Sequence, residues 1–280
     1  METTASINTL VEDIYKVLTE GVQIDESTAE EFGKRIATLI KERLAPKEPR
    51  KGTLRLSNLG KKDRQLWYET HNYPGEKFNG PAIFKFLYGD LIEELTLFLA
   101  EVAGHSVEGR QGEVVVDGIL GHRDAIIDGV LVDVKSTSSY SFKKFKEGTL
   151  KDDDPFGYYT QLSGYLADSE YHRDHGAFLA VDKQNGTLVL LPVSAGDTVD
   201  VHQRIAHLKE VVKSKEPPPR CHEPEPMGKS GNMKLGLGCS YCPFKVECWK
   251  DVGLRKFIYS TGPVWLTTVA DPPRVMEVEP

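Results

Sequence analysis

The chain has 280 residues, 39% of them hydrophobic and 28% charged, with a net charge of −7. That balance describes a globular protein with room for one substantial core plus appendages, and the net acidity alone argues against a nonspecific nucleic-acid binder. No apolar run approaches the ~20 residues of a membrane-spanning helix, and the start Met1-Glu-Thr-Thr-Ala-Ser lacks the regions of a signal peptide, so neither membrane insertion nor secretion is expected.

Apolar spacing predicts amphipathic helices over residues 5–20 and 26–44. The second is opened by Ser27 or Thr28, carries Glu30 and Glu31 in its first turn and closes before Pro46. Residues 47–52 read as a polar connector. Seven basic residues (Lys47, Arg50, Lys51, Arg55, Lys61, Lys62, Arg64) fall between Lys47 and Arg64 against two acids, and Lys143 to Lys146 forms a second cluster. Such clusters are usually solvated faces, yet beside a phosphate-handling site they can hold a nucleic-acid backbone. A long helical pattern (Ile83, Phe84, Leu87, Leu91, Leu95, Phe98) runs over residues 81–103 and stops at Gly104.

A meander follows: residues 114–116, an Asp117-Gly118 turn, residues 119–127, an Asp128-Gly129 turn and residues 130–137. Asp-Gly between β-branched residues is the strongest short-range hairpin signal. A turn centred on Asp128 and Gly129 pairs Ile127 with Val130, Ile126 with Leu131 and Ala125 with Val132, which sets Asp124 opposite Asp133. Opposed side chains sit roughly 5 Å apart, and two like charges there are destabilising unless a positive group lies between them. A divalent metal ion meets that need. Alternation puts Lys135 on the face of Asp133. Inward charges can also protect a strand edge, but Val130, Val132 and Val134 mark a buried strand, where an unpaired carboxylate is costly.

Asp154-Pro155 predicts a helix start, with the helix running to about Ser169 and carrying Gln161 and Tyr165 on one face. Residues 177–181 and 187–192 form a hairpin around Asn185-Gly186, and a helix over 199–215 ends at Pro217-Pro-Pro219. The order of elements fits an α/β core with a mixed sheet. Cut at these breaks, the chain divides into an N-terminal helical segment 1–50, a core 51–219, a cysteine segment 220–250 and a tail 251–280. All four cysteines, Cys221, Cys239, Cys242 and Cys248, lie in one 28-residue stretch, which points to a metal site rather than to disulfides.

Gly121-x-x-Asp124, Asp133-Val-Lys135 and Gln161-x-x-x-Tyr165, in that order, resemble the PD-(D/E)XK nuclease superfamily, in its RecB-like exonuclease branch, which includes CRISPR-adaptation nucleases and phage exonucleases. The resemblance covers roughly residues 55 to 250. It implies a restriction-endonuclease-like core flanked by helices, and a site holding Mg2+ or Mn2+ on Asp124, Asp133, the Val134 carbonyl and a helical acid. Gly89-Asp-Leu-Ile-Glu93 fits the helical position, with Glu93 as the ligand. Lys135 would polarise the attacking water or the phosphate, while Gln161 and Tyr165 would orient DNA; His122, two residues before Asp124, is a candidate neighbour.

Cys239-x2-Cys242-x5-Cys248 followed by Trp249 resembles the C-terminal element of iron–sulfur nucleases in this branch. Their fourth cysteine lies in a segment like residues 56–67, where this chain has Lys62 and Asp63, and Cys221 stands in as the fourth ligand. A 4Fe-4S cluster is implied, with a structural Zn2+ as the alternative. The expected function is a Mg2+/Mn2+-dependent DNA exonuclease serving recombination, replication or repair, in bacterial cytoplasm or a phage-infected cell. Its expected partners are DNA and a single-strand annealing or other recombination or replication protein. A structure-specific or nicking endonuclease and a catalytically idle DNA-binding subunit are the rival readings. No Gly-x4-Gly-Lys-Ser/Thr phosphate loop occurs.

Overall fold

The computed structural model describes residues 5–46, 52–167 and 175–279. In chain order the elements are α1 (Leu10–Glu20), α2 (Glu26–Leu44), α3 (Asp63–Thr70), α4 (Gly80–Val102), β1 (Val107–Glu108), β2 (Gly112–Val116), β3 (Ile119–Arg123), β4 (Ala125–Ile127), β5 (Val130–Thr137), α5 (Ser139–Glu147), α6 (Tyr158–Ala167), β6 (His175–Asp182), β7 (Leu188–Ser194), α7 (Val201–Lys213), β8 (Glu225–Pro226), β9 (Met233–Lys234), α8 (Leu237–Ser240), α9 (Lys245–Cys248), β10 (Arg255–Tyr259), β11 (Gly262–Thr268) and β12 (Met276–Val278). None of the described helices is long and apolar enough to cross a membrane.

Two compact units divide the chain. The first comprises Met1–Arg50, Arg55–Gly60 and Phe78–Arg204; the second comprises Lys51–Leu54, Lys61–Lys77 and Ile205–Pro280. The first is an α/β unit around a mixed sheet of order β1-β4-β5-β6-β7, in which only the β5–β6 pair is parallel. Its aliphatic core joins Leu10 and Ile14 of α1 and Leu97 of α4 to Ala125, Val132, Val134 and Leu179 of the sheet. The N-terminal segment cut at residue 50 is therefore part of this unit, because α1 is apolar enough to bury two side chains completely.

The hairpin register holds: Ile127 pairs with Val130, Ile126 with Leu131 and Ala125 with Val132. Asp128 (φ 50°) and Gly129 (φ 80°) both take the left-handed conformation that a two-residue primed turn requires. One expectation fails here. The predicted strand 119–127 is two strands, with β3 pairing β2 in a separate two-stranded sheet and β4 joining the main sheet. The break falls at Asp124. Its side chain does what a strand neighbour would do, Oδ2 accepting the Val134 N–H at 2.8 Å.

The helix predicted from Pro155 begins instead at Tyr158, because Gly157 turns the chain with φ 73°. Asp154 still caps it, Oδ2 accepting the Tyr159 N–H at 3.0 Å. The expected end at Ser169 lies outside the described residues. Helix α5 was not expected; Ser138 is its N-cap, a structural role for the serine run after Lys135.

The second unit contains an antiparallel sheet of order β12-β10-β11-β9-β8. Residues 251–280, expected as a tail, supply three of its strands, and Phe257, Trp265 and Leu266 are buried there. Residues 61–77 belong to this unit too. Trp67 and Tyr68 of α3 pack on Phe244, and Trp67 donates to the Ser214 carbonyl at 2.9 Å.

Candidate active site

Where β4 stops, β5 continues alone beside β6, and the residues past that point carry the charge. Asp133 lies opposite Phe178 and Lys135 opposite Ala180 in the parallel ladder. Asp133 is 0% exposed. Lys135 Nζ lies 2.5 Å from Asp133 Oδ2, 3.4 Å from the Gln161 amide oxygen and 4.8 Å from the centre of the Tyr158 ring. Gln161 Nε2 donates in turn to the Tyr165 hydroxyl at 3.0 Å. Among the described residues the Asp133 carboxylate meets the Lys135 ammonium, which lies against Oδ2. That contact is a charge-assisted hydrogen bond.

Glu93 approaches from α4. Gly89, one turn earlier, lies beside Ser136, where an added Cβ would sit 3.9 Å from the Ser136 Oγ, so the helix runs close to β5. The Gln111 amide donates to Glu93 Oε1 at 2.9 Å. Burial and the nearby Asp133 charge push Glu93 up to about 7, against the pull of Lys135. Burial, Asp133 and Glu93 hold Asp124 well above the usual carboxylate range, and burial raises Asp133. Burial alone would lower the Lys135 ammonium, but Asp133 and Asp124 more than offset it and hold it raised, so it stays protonated. Three raised carboxyls, two of them shifted by a neighbouring acid, with one cation among them, form a site short of positive charge that an additional cation would relieve.

All six expected catalytic residues therefore come together in one unit. Tyr165 differs from expectation in its reach: it is 1% exposed, and burial raises its phenol. It acts on the site through Gln161. Its ring explains Gly121, where an added Cβ would sit 2.9 Å from Tyr165 Cε1 and 2.6 Å from Leu56 Cβ. His122 turns away from the site. It is exposed and stands opposite Glu113 on the β2–β3 ribbon, because the strand breaks before Asp124 can share its face. Tyr158 and Gln111 escaped the sequence reading. Tyr158 was detectable, since 158, 161 and 165 fall on one helical stripe; Gln111 comes from a loop with no such pattern.

A pH dependence follows from these shifts. A carboxyl whose pKa is higher folded than unfolded favours the folded state at low pH, and that contribution is lost as pH rises through the folded value. For Glu93 the window runs from its ordinary 4.5 to about 7. Metal-free protein should thus lose stability between about pH 4.5 and pH 7, and Glu93→Gln should flatten that loss. Urea denaturation across the range checks it; equal slopes in both proteins would contradict the Glu93 assignment.

In the second unit the four cysteines line one cavity, together with Lys62, Arg64 and Arg220 among others. Burial and the neighbouring cysteines push the Cys239 thiol up to about 11; burial, offset in part by the Phe244 N–H, does the same for Cys242. Arg64 Nε donates to Cys248 Sγ at 3.2 Å. Cys221 is raised by burial but accepts the backbone N–H groups of Arg64 and Gln65, at the first turn of α3. Cys221 thus reaches the very segment where a cysteine at 62 or 63 would stand. As they stand, no three His, Cys, Asp or Glu side chains among the described residues are spaced to hold a single ion.

Lys47, Arg50 and Lys51 lie outside the described residues. Lys61 pairs with Glu69 at 2.8 Å, and Arg64 is spent on Cys248, the Pro218 carbonyl and the Tyr68 hydroxyl. These residues serve the cysteine unit. In the second cluster, Lys144 is tied to Asp153 at 2.5 Å and Lys143 lies 3.7 Å from Glu147.

No family model matches this chain, and no curated protein matches its sequence. The crystal structure of SSO0001 is similar over 79% of this chain and 95% of that one, at 17% identity and a TM-score of 0.42, a likeness too distant to assign fold family or activity.

Proposed function

We propose that the first unit is a PD-(D/E)XK nuclease core of the RecB-like branch and that the protein is a Mg2+- or Mn2+-dependent DNA exonuclease. The observation that carries this reading is the convergence of Glu93, Asp124 and Asp133, with raised carboxyl pKa values, around the Lys135 ammonium that pairs with Asp133. Oxygen-only acids of this kind suit a hard divalent cation, held by Glu93, Asp124, Asp133 and the Val134 carbonyl. When bound, the ion would supply charge neutralisation on the phosphate and a water acidified toward neutral pH.

The chain's own residues do the rest. Asp133, Gln161 and the Tyr158 ring hold Lys135, which at neutral pH is a fixed positive charge beside the phosphate and not a base. Tyr165 fixes the Gln161 amide so that its oxygen faces Lys135. Asp124 ties the site to the backbone of β5 through Val134. Calorimetric titration with Mn2+ tests the metal site: binding in the wild type and its loss in Asp124→Asn are expected, and equal binding in both would overturn it.

For the second unit the proposal is a 4Fe-4S cluster on Cys221, Cys239, Cys242 and Cys248. Thiols spread round a cavity, with cations beside them, suit a bulky anionic cluster better than a lone zinc, which draws four thiolates to one point.

A further inference from the structure

Each of the four cysteine sulfurs in the second unit accepts an N–H. Cys221 takes the backbone N–H groups of Arg64 and Gln65, Cys242 takes that of Phe244, and Cys239 takes the Trp249 indole. Cys248 takes the Arg64 guanidinium, whose Nε lies 3.2 Å from Sγ. A neutral thiol is a weak acceptor, so donors on all four sulfurs suit thiolates, the form in which cysteine holds a metal. Backbone and indole donors are neutral. Arg64 alone brings a full charge, and it spans two sulfurs, main chain on Cys221 and side chain on Cys248.

The guanidinium is fixed in place. Its other nitrogens donate to the Tyr68 hydroxyl at 3.1 Å and to the Pro218 carbonyl. The wall of the cysteine cavity carries three further cations, Lys62, Arg220 and Lys245, and no acid among the described residues. Arg220 and Lys245 are neutralised by Asp251 and Glu76. Arg64 makes no ion pair with a carboxylate among the described residues, so its charge is left to face the sulfurs.

An iron–sulfur cluster becomes more negative when it takes one electron from a reductant, and a charged N–H donor at a ligand sulfur favours the more negative state. We infer that Arg64, acting through Cys248, sets the reduction potential of the centre and holds it above the value that the four cysteines and their neutral donors would give. This rests on the 4Fe-4S proposal above.

The test is a redox titration of anaerobically purified, full-length protein with dithionite as the electron donor, followed by electron paramagnetic resonance. Arg64→Met keeps the length of the side chain and removes its charge and its donors. At a fixed solution potential its reduced-to-oxidised ratio should fall about tenfold, which is about 59 mV for a one-electron couple. Arg64→Lys restores the charge and should recover part of that shift. Resonance Raman spectra of the wild type give a reading that needs no variant: the iron–Sγ stretching bands should move on brief exchange into D2O, which reaches the guanidinium before the buried Trp249 indole. A potential in Arg64→Met equal to that of the wild type overturns the inference and leaves the cluster standing. Should that variant fail to load iron, unmoved Raman bands overturn it instead. Wild type that holds no iron ends the cluster reading, and the inference with it.

Discussion

Purified Asp124→Asn and Lys135→Ala proteins should lose nuclease activity by about a thousandfold or more, on the scale seen when a charge-stabilising group is removed from a preorganised site. The two changes should differ in their effect on stability, and that difference tests the physical account. Asp124 is held far above its ordinary pKa by burial and by Asp133 and Glu93, so its charge is unfavourable in metal-free protein. Asparagine keeps an oxygen for the Val134 N–H, removes the charge and should raise the metal-free melting temperature by about 2–4 °C, the shift for roughly 1 kcal/mol in a domain of this size. Lys135→Ala leaves Asp133 buried without its cation and should lower it. Melting temperatures that move the same way in both variants would contradict a site short of positive charge.

Replacing Cys242 by serine should remove the metal from the second unit and destabilise it far more than any surface change. Metal on structural thiolates contributes to folding free energy directly, and the thiols here are half-buried around one cavity, so protonated and metal-free they leave that cavity in place of a packed core. Anaerobically purified wild type should be brown, with iron and acid-labile sulfide in equal amounts. Cys221→Ser should lower the iron content as well, since Cys221 lines the same cavity as the other three cysteines. Wild type with neither iron nor zinc would end the metal-centre proposal, and a Cys221→Ser protein with full metal content would remove that cysteine from the ligand set.

The candidate site was legible because its residues are fixed by local rules. An Asp-Gly turn determines which residues oppose each other, and period-two and period-3.6 spacing did the same for Lys135 and for Gln161 with Tyr165. What escaped was set by tertiary contact. The strand break at Asp124 follows from that side chain capturing a backbone N–H ten residues away, and it redirected His122. The fate of Arg64 follows from a sulfur 184 residues distant in sequence, which no charge count could anticipate. Of the C-terminal strands, β10 and β12 hold only five and three residues and β11 opens on Gly262 and Pro263, so their alternation was too weak to read.

Digestion of DNA by the wild-type protein, with Mg2+ or Mn2+, on linear and covalently closed circular forms of one molecule, tests the central claim most directly. The account predicts loss of nucleotides from the linear form only, dependent on the metal, absent in Asp124→Asn, and indifferent to sequence. Cutting of the closed circle would replace the exonuclease with an endonuclease, and no metal-dependent hydrolysis of either form would contradict the proposal that Glu93, Asp124, Asp133 and Lys135 are a nuclease site.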